Sequence, residues 1–360
     1  MNEQIEGMCS MKRFTTALVM VWVIAGFVCP GVYAAEKAKI TIKLATLAPK
    51  GSSIMNIFEE LSAQIREKTG NEVAFKIYWG GVQGDEKDVL RKIRLGQLHG
   101  GGFMGTGLGQ IVPAVRVTEI PYVFRNYEEV KYVRSRIEER MNRLFEENGF
   151  IVLGWMDLGF IYTFSKVPLT SIEVARAQKW WTLEGDPIGR EVFKALGISP
   201  ISLSLPDVAT SLSTNLIDCA TSTPYGAVAF QWYTRFNYMG AFPSSNILGA
   251  TVITKKIWDR ITPESRKIIK KISRNAHERI ANATRSEDAK CLEILKREGI
   301  RIVMDVDNSD DYRFIFEAAE RARQNLVGEL YSQELLDRTV SLLNEYRTNH
   351  PGNTSVEIIQ

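Results

Sequence analysis

The run His99-Gly100-Gly101-Gly102-Phe103 is where the sequence most openly offers chemistry. A histidine, three glycines and an aromatic residue match the oxyanion loop of lipases and esterases, whose backbone N–H groups hold a developing oxyanion. Such an enzyme also needs a serine with glycine two residues before it and two after, and no serine in the chain has that setting. The remaining bases are His277, in the charged stretch SRNAHERI, and His350 near the end. An exported esterase using the HGGG loop is therefore kept only as the alternative from another class, and the chain is read as no enzyme. The glycines at 100, 101, 102, 105, 107 and 109 more simply let backbone approach a ligand or make a turn. Gly105-x-Gly107-x-Gly109 lacks the dinucleotide spacing and its acidic partner. Three scattered histidines offer no metal-ligand spacing. Asp305 to Asp311 (DVDNSDD) resembles part of a calcium loop but lacks the mid-loop glycine and the terminal glutamate, so it reads as a solvated turn. No cofactor and no metal are expected.

A second cluster is aromatic. Trp180 and Trp181 are adjacent on a short strand, so their side chains leave it on opposite faces, one into a core and one toward a cleft. Tyr225, Phe230, Trp232 and Tyr233 follow a Ser222-Thr223-Pro224 loop.

The elements that must position these residues alternate strand and helix. Ile40–Ala45 (ITIKLA) alternates as a half-buried strand does, and Ser52 or Ser53 is placed to cap a helix carrying Ile54, Ile57, Phe58, Leu61 and Ile65. Glu72–Trp79 is a second strand, and Asp85 opens a second helix that ends near Gly96. Later come Gln178–Leu183, a Gly185-Asp186-Pro187 turn, an amphipathic helix and the strand Ile198–Leu203. This order is that of parallel sheets with crossover helices, with ligands beyond the carboxyl ends of the strands. Thr262-Pro263-Glu264 starts a helical region that runs to about Ala283, and a frayed tail is expected at 346–360.

At 360 residues two domains are the natural division. A net charge of +3, without a basic block, gives no reason to expect nucleic acid. Met11-Lys12-Arg13, the apolar run Ala17–Val28 and the small residues of Val32-Tyr33-Ala34 form a secretory signal peptide over 1–34, which places the mature protein in the periplasm. Cys219 and Cys291, which remain, are read as buried free thiols.

The chain resembles, in order and spacing, the DctP-type solute-binding proteins of tripartite ATP-independent periplasmic (TRAP) transporters. The resemblance rests on GDEKDVLRKIRLGQL, on IPYVFRNYEEV, on Gly149–Leu169 as a hinge strand, and on ILGATVITKKIWDRI as the returning strand. It implies a two-lobed α/β fold of two parallel-sheet domains, residues 36–156 with 247–285 and residues 157–246 with 286–345, closing over a ligand by hinge motion. It also implies membrane transporter subunits as partners and a monomeric state. By this resemblance Trp181 stands where the family carries a carboxylate-clamping arginine, Gly159-Phe160-Ile161 replaces a Gly-Phe-Arg, and Ser222-Thr223-Pro224 replaces an acidic-Asn-Pro sequence. The implied ligand-binding residues are Trp181, Phe160, Ile161, Tyr162, Ser222, Thr223, Tyr225 and Gly105. Burying a carboxylate without cationic partners costs several kcal/mol. The expected ligand is accordingly hydrophobic or neutral, even lipid-like; the alternative is an organic acid held by a displaced Arg116 or Arg190. Trp181→Ala is expected to weaken binding and leave the melting transition nearly intact.

Overall fold

The computed structural model describes residues 37–303 and 309–351, all within one compact unit. The signal peptide expected over 1–34 and residues 305–308 of the DVDNSDD turn lie outside the described residues.

The first half of the chain builds β1 (Ile40–Thr46), α1 (Ser53–Lys68), β2 (Val73–Tyr78), α2 (Glu86–Arg94), β3 (Gly100–Met104), α3 (Gly105–Gly109) and α4 (Tyr127–Glu147). Ser52 caps α1 by accepting from Met55 N at 3.1 Å, and Asp85 caps α2 from Asp88 N at 2.9 Å. Each cap contributes about 1 kcal/mol. Burial of Ile57, Phe58, Leu61 and Ile65 contributes about 1.5–3 kcal/mol per side chain, so packing rather than capping holds α1 in place.

The long strand β4 (Phe150–Ser165) is followed by α5 (Ile172–Arg176), β5 (Trp181–Leu183), α6 (Pro187–Leu196), β6 (Ile201–Leu203), α7 (Val208–Ser213), β7 (Cys219–Ser222), α8 (Pro224–Ala229) and β8 (Tyr238–Gly240). Then come β9 (Ser245–Thr254), α9 (Lys255–Trp258), α10 (Pro263–Arg297), β10 (Arg301–Val303), α11 (Ser309–Asn325) and α12 (Gln333–Asn349).

The strands form a mixed sheet rather than two purely parallel ones. One half has the order β2-β1-β3-β9-β4, with β1 parallel to β2 and β3 and with β9 antiparallel to β3 and β4. The other half gathers β7 and β8 antiparallel to the later residues of β4, with β10 parallel to β8. The parallel pair β5-β6 is tied to β7 through a bridge between Trp180 and Cys219. The two halves, called here the first and second lobes, therefore share β4 and β9. A register shift between Asp157 and Phe160 marks the change of lobe, where three steps along β4 match two along β9. Gly159 sits in this bulge at φ +107, and a Cβ there would meet Asp288 Oδ2 at 2.5 Å, so glycine is required.

The C-terminal helices differ from expectation. No glycine or proline interrupts the chain between Pro263 and Gly299, so α10 runs unbroken through the domain boundary expected at 285 and stops before Gly299 at φ +91. α11 packs on α6 of the second lobe, whereas α12 packs on α4 of the first lobe and continues past 346 to Asn349, where a frayed tail was expected. Cys219 and Cys291 are both free and buried.

Candidate functional site

A cavity of about 340 Å³ opens between the two lobes, bordered by β1, β3, β4, β9, the β5–α6 turn and the β7–α8 loop. Its size is that of an ordinary small-molecule pocket. Among the residues bordering it is Arg116, in the turn Pro113–Glu119 of the first lobe. Arg116 Nε stands 2.7 Å from Glu119 Oε2, and Arg116 Nη2 donates to Asp186 Oδ1 at 2.8 Å. Asp186 belongs to the second lobe, so this ion pair crosses the cleft. The Gly-Asp-Pro turn explains its placement: Asp186 is the N-cap of α6, accepting from Ile188 N at 3.2 Å and Gly189 N at 3.1 Å, with Pro187 in the first turn.

A third carboxylate joins them. Glu86, one residue inside α2, accepts from Met104 N at 2.5 Å and Gly107 N at 2.8 Å. Burial pushes its carboxyl up to about 8 although both amides pull the other way. Glu119 is also raised by burial, against the pull of Arg116 and of Leu248 N, which donates to it at 2.6 Å. Among the described residues that border the cleft, three are carboxylates and Arg116 is the one cationic side chain.

The glycine run takes a different role from the expected one. A Cβ at Gly105 would meet the Glu119 carboxylate at 1.9 Å, and one at Gly107 would meet that of Glu86 at 2.6 Å. These glycines make room for the protein's own carboxylates. His99 and the glycines after it are no oxyanion loop either. They enter and form β3, whose backbone is laddered to β1 on one side and β9 on the other, while His99 Nδ1 accepts from Lys43 N at 3.0 Å. No N–H array is left to hold an oxyanion. His277, the other candidate base, is 2% exposed between Ser273 O and Thr251 Oγ1, and burial pulls it down to about 4.

Of the expected ligand-binding residues, Trp181, Ile161, Ser222, Thr223, Tyr225 and Gly105 border the cleft; Phe160 and Tyr162 do not. The bulge after Asp157 is the reason. It adds one residue to β4, so Met156 and Leu158 border the cleft before it and Ile161 and Thr163 after it, turning Phe160 and Tyr162 into the core. Phe160 meets Tyr127 edge-on at 4.9 Å. Trp180, expected only in a core, borders the cleft as well. Trp181 packs edge-on against Trp232 at 5.4 Å, and its N–H donates to Leu203 O at 3.1 Å, so it is cleft wall and core at once. Its contacts predict that truncation lowers stability as well as binding, unlike the expectation from sequence. Arg190 lies off the cleft, bidentate on Glu329 at 2.7 and 2.8 Å.

Sequence reasoning missed Glu86, Glu119, Asp186, Asn246 and Thr284. Only Asp186 carried a local signal, its Gly-Asp-Pro turn. Asn246 and Thr284 border the cleft at 3% and 4% exposure, and neither side chain has a hydrogen-bond partner among the described residues. A larger cavity, about 1060 Å³, is bordered by α11 and α12 and shares Trp180, Thr163, Leu196 and Tyr122 with the cleft. Two of its arginines are engaged: Arg323 donates to Pro121 O at 2.8 Å, and Arg347 pairs with Glu129 at 2.7 Å.

Two α/β lobes sharing a pair of long strands, with a small-molecule cavity between them, have the architecture of a solute-binding protein. The comparisons give the family. Residues 44–327 match the model of the bacterial extracellular solute-binding protein family 7, DctP, and the chain belongs to that family. The sialic acid-binding periplasmic protein of Vibrio cholerae is 21% identical over 274 residues, covering 75% of this chain and 84% of its own. A TRAP periplasmic solute-binding protein from Desulfovibrio salexigens, solved with orotic acid, superposes with a TM-score of 0.77 at 17% identity over 85% of this chain and 99% of its own. One from Haemophilus influenzae with bound L-gulonate gives 0.76 at 20% identity over 85% and 99%. The chain is thus a TRAP solute-binding protein with the two-lobed fold.

Proposed function

We propose that the chain works in the periplasm, where it captures a small ligand of no net negative charge in the inter-lobe cleft and hands it to the membrane subunits of its transporter. The observation that carries this reading is the charge balance at Arg116. The guanidinium bordering the cleft is already shared by Glu119 and Asp186, while burial keeps the neighbouring Glu86 protonated near neutral pH. A simple anion would find no vacant cation and would have to displace a carboxylate from Arg116, which costs more than the contacts return. In this reading one lobe comprises 36–156, 247–285 and α12, the other comprises 157–246 with the rest of 286–345, and the Arg116–Asp186 pair spans the two.

A second reading is an organic acid whose carboxylate displaces Asp186 from Arg116. It is favoured by the relatives: sialic acid, orotic acid and L-gulonate, the ligands named for them, are all acids. A lipid-like ligand is not proposed, since none of these relatives is named for one and charged side chains border the cleft.

Tryptophan emission tests the reading, because Trp180, Trp181 and Trp232 all border the cleft. Small polar metabolites separated by charge should include a fraction that changes the emission saturably. A response confined to nitrogen-free anions would favour the acid reading, and no response from any fraction would contradict both.

A further inference from the structure

The reading of the cleft as a ligand site leaves open how the ligand is chosen, and the polar groups around it bear on that choice. Asp186 is the most reachable of the three carboxylates, its side chain 19% exposed against 7% for Glu119. Oδ1 of Asp186 accepts from Arg116 and Ile188 N, and Oδ2 accepts from Gly189 N. A carboxylate oxygen takes two bonds, so Oδ2 retains capacity in a residue that borders the cleft. Across the same cavity, Thr284 reaches in from α10 with a hydroxyl that has no partner although the residue is only 4% exposed. Asn246 borders the cavity with both carboxamide atoms unpartnered at 3% exposure. Buried polar groups are as a rule hydrogen-bonded, so unpartnered ones beside a cavity mark where a bound molecule completes the bonding. Trp181, Trp232 and Phe230 also border the cavity, and aromatic rings attract a cation and not an anion.

Resting on the binding-protein reading above, we propose that the ligand carries a protonated nitrogen, an amine or amidine, recognised by Asp186 and its neighbouring carboxylates. An organic acid then fits as a zwitterion: its carboxylate draws on Arg116, while its nitrogen takes the Asp186 oxygen that Arg116 gives up. Thr284 and Asn246 accept or donate to the remaining polar groups. The same arrangement excludes a nitrogen-free acid, which would release Asp186 into the cleft with nothing to pair it.

The test is a melting-temperature screen of the mature chain, stripped by unfolding and refolding. Three size-matched sets of compounds are used: primary amines, amino acids, and the same acids without nitrogen; hits are titrated calorimetrically. Hits confined to the first two sets are expected. Asn caps a helix as well as Asp does, so Asp186→Asn keeps α6 while removing the charge. It should weaken those hits about tenfold or more, the scale of a charge-assisted bond. Thr284→Val breaks no bond within the protein and should weaken them by roughly threefold to tenfold without lowering the ligand-free melting temperature. Hits confined to nitrogen-free acids would overturn the proposal and leave the binding reading standing, as would hits from amines that Asp186→Asn does not affect. No hit in any set would overturn both.

Discussion

Two arginine–carboxylate centres sit on the first lobe, one half-buried and one buried, and they are built to opposite specifications. Arg347 on α12 grips Glu129 on α4 with Nε–Oε1 at 2.7 Å and Nη2–Oε2 at 2.9 Å. Further polar groups are used locally: Arg347 Nη2 also donates to Val123 O at 2.7 Å, and Glu129 accepts from Arg125 N at 2.7 Å. One cation meets one carboxylate, and the pair pins the last helix to the lobe. Arg116 faces two carboxylates at once, one of them on the other lobe, with Glu86 beside them and unpartnered hydroxyl and amide groups bordering the same cavity. A closed charge account belongs to architecture. The open one, at the lobe junction, belongs to the ligand.

The comparison breaks most visibly at the balanced centre. Glu129→Ala strands the Arg347 guanidinium and should cost about 3–5 kcal/mol of stability in denaturant unfolding, with ligand affinity unchanged. A change in affinity would mean that this centre is not purely structural. Trp181→Ala removes a side chain that is both core and cleft wall, so a loss of about 3–4 kcal/mol should accompany weaker binding. Binding lost without any change in the melting temperature would place Trp181 outside the core.

The pH dependence sharpens the contrast further. Glu86 is held at about 8 when folded, against 4.5 ordinarily, so the unfolded chain gives up that proton first. Its stabilising contribution is complete below about 4.5 and is lost as the pH rises through about 8. Glu86→Gln should flatten the fall in melting temperature over that window; an unchanged slope would show that Glu86 does not titrate there. The smallest effect is expected at Phe160. It faces Tyr127 and not the cleft, so Phe160→Leu should cost about 1 kcal/mol or slightly more and leave affinity within a factor of two.

Much of the frame was legible because it is written in local signals. The caps at Ser52, Asp85 and Thr262, the alternation of β1, and the Gly-Asp-Pro entry to α6 each act within a few residues. The site was less legible because it depends on where distant segments meet. The family resemblance put Phe160, Ile161 and Tyr162 together at the ligand, but after the extra residue at the Gly159 bulge only Ile161 of the three borders the cleft; a bulge is a property of two strands and leaves no mark in one. Glu86 and Glu119 look like any surface carboxylates in sequence. Their burial follows from glycines at 107 and 105 that leave room for them, and those glycines were visible without showing what they accommodate. By resemblance Trp181 stands at an arginine position, and it borders the cleft with no charge of its own. The surplus of carboxylates that accompanies it comes from both lobes and appears only when they are brought together.

The most direct test of the central claim is mass spectrometry of the small molecule released when the protein, purified from its native periplasm, is denatured. The account predicts a compound small enough for a cavity of about 340 Å³ and bearing a basic nitrogen. A nitrogen-free acid would contradict it, and would make Arg116 a carboxylate clamp like any other.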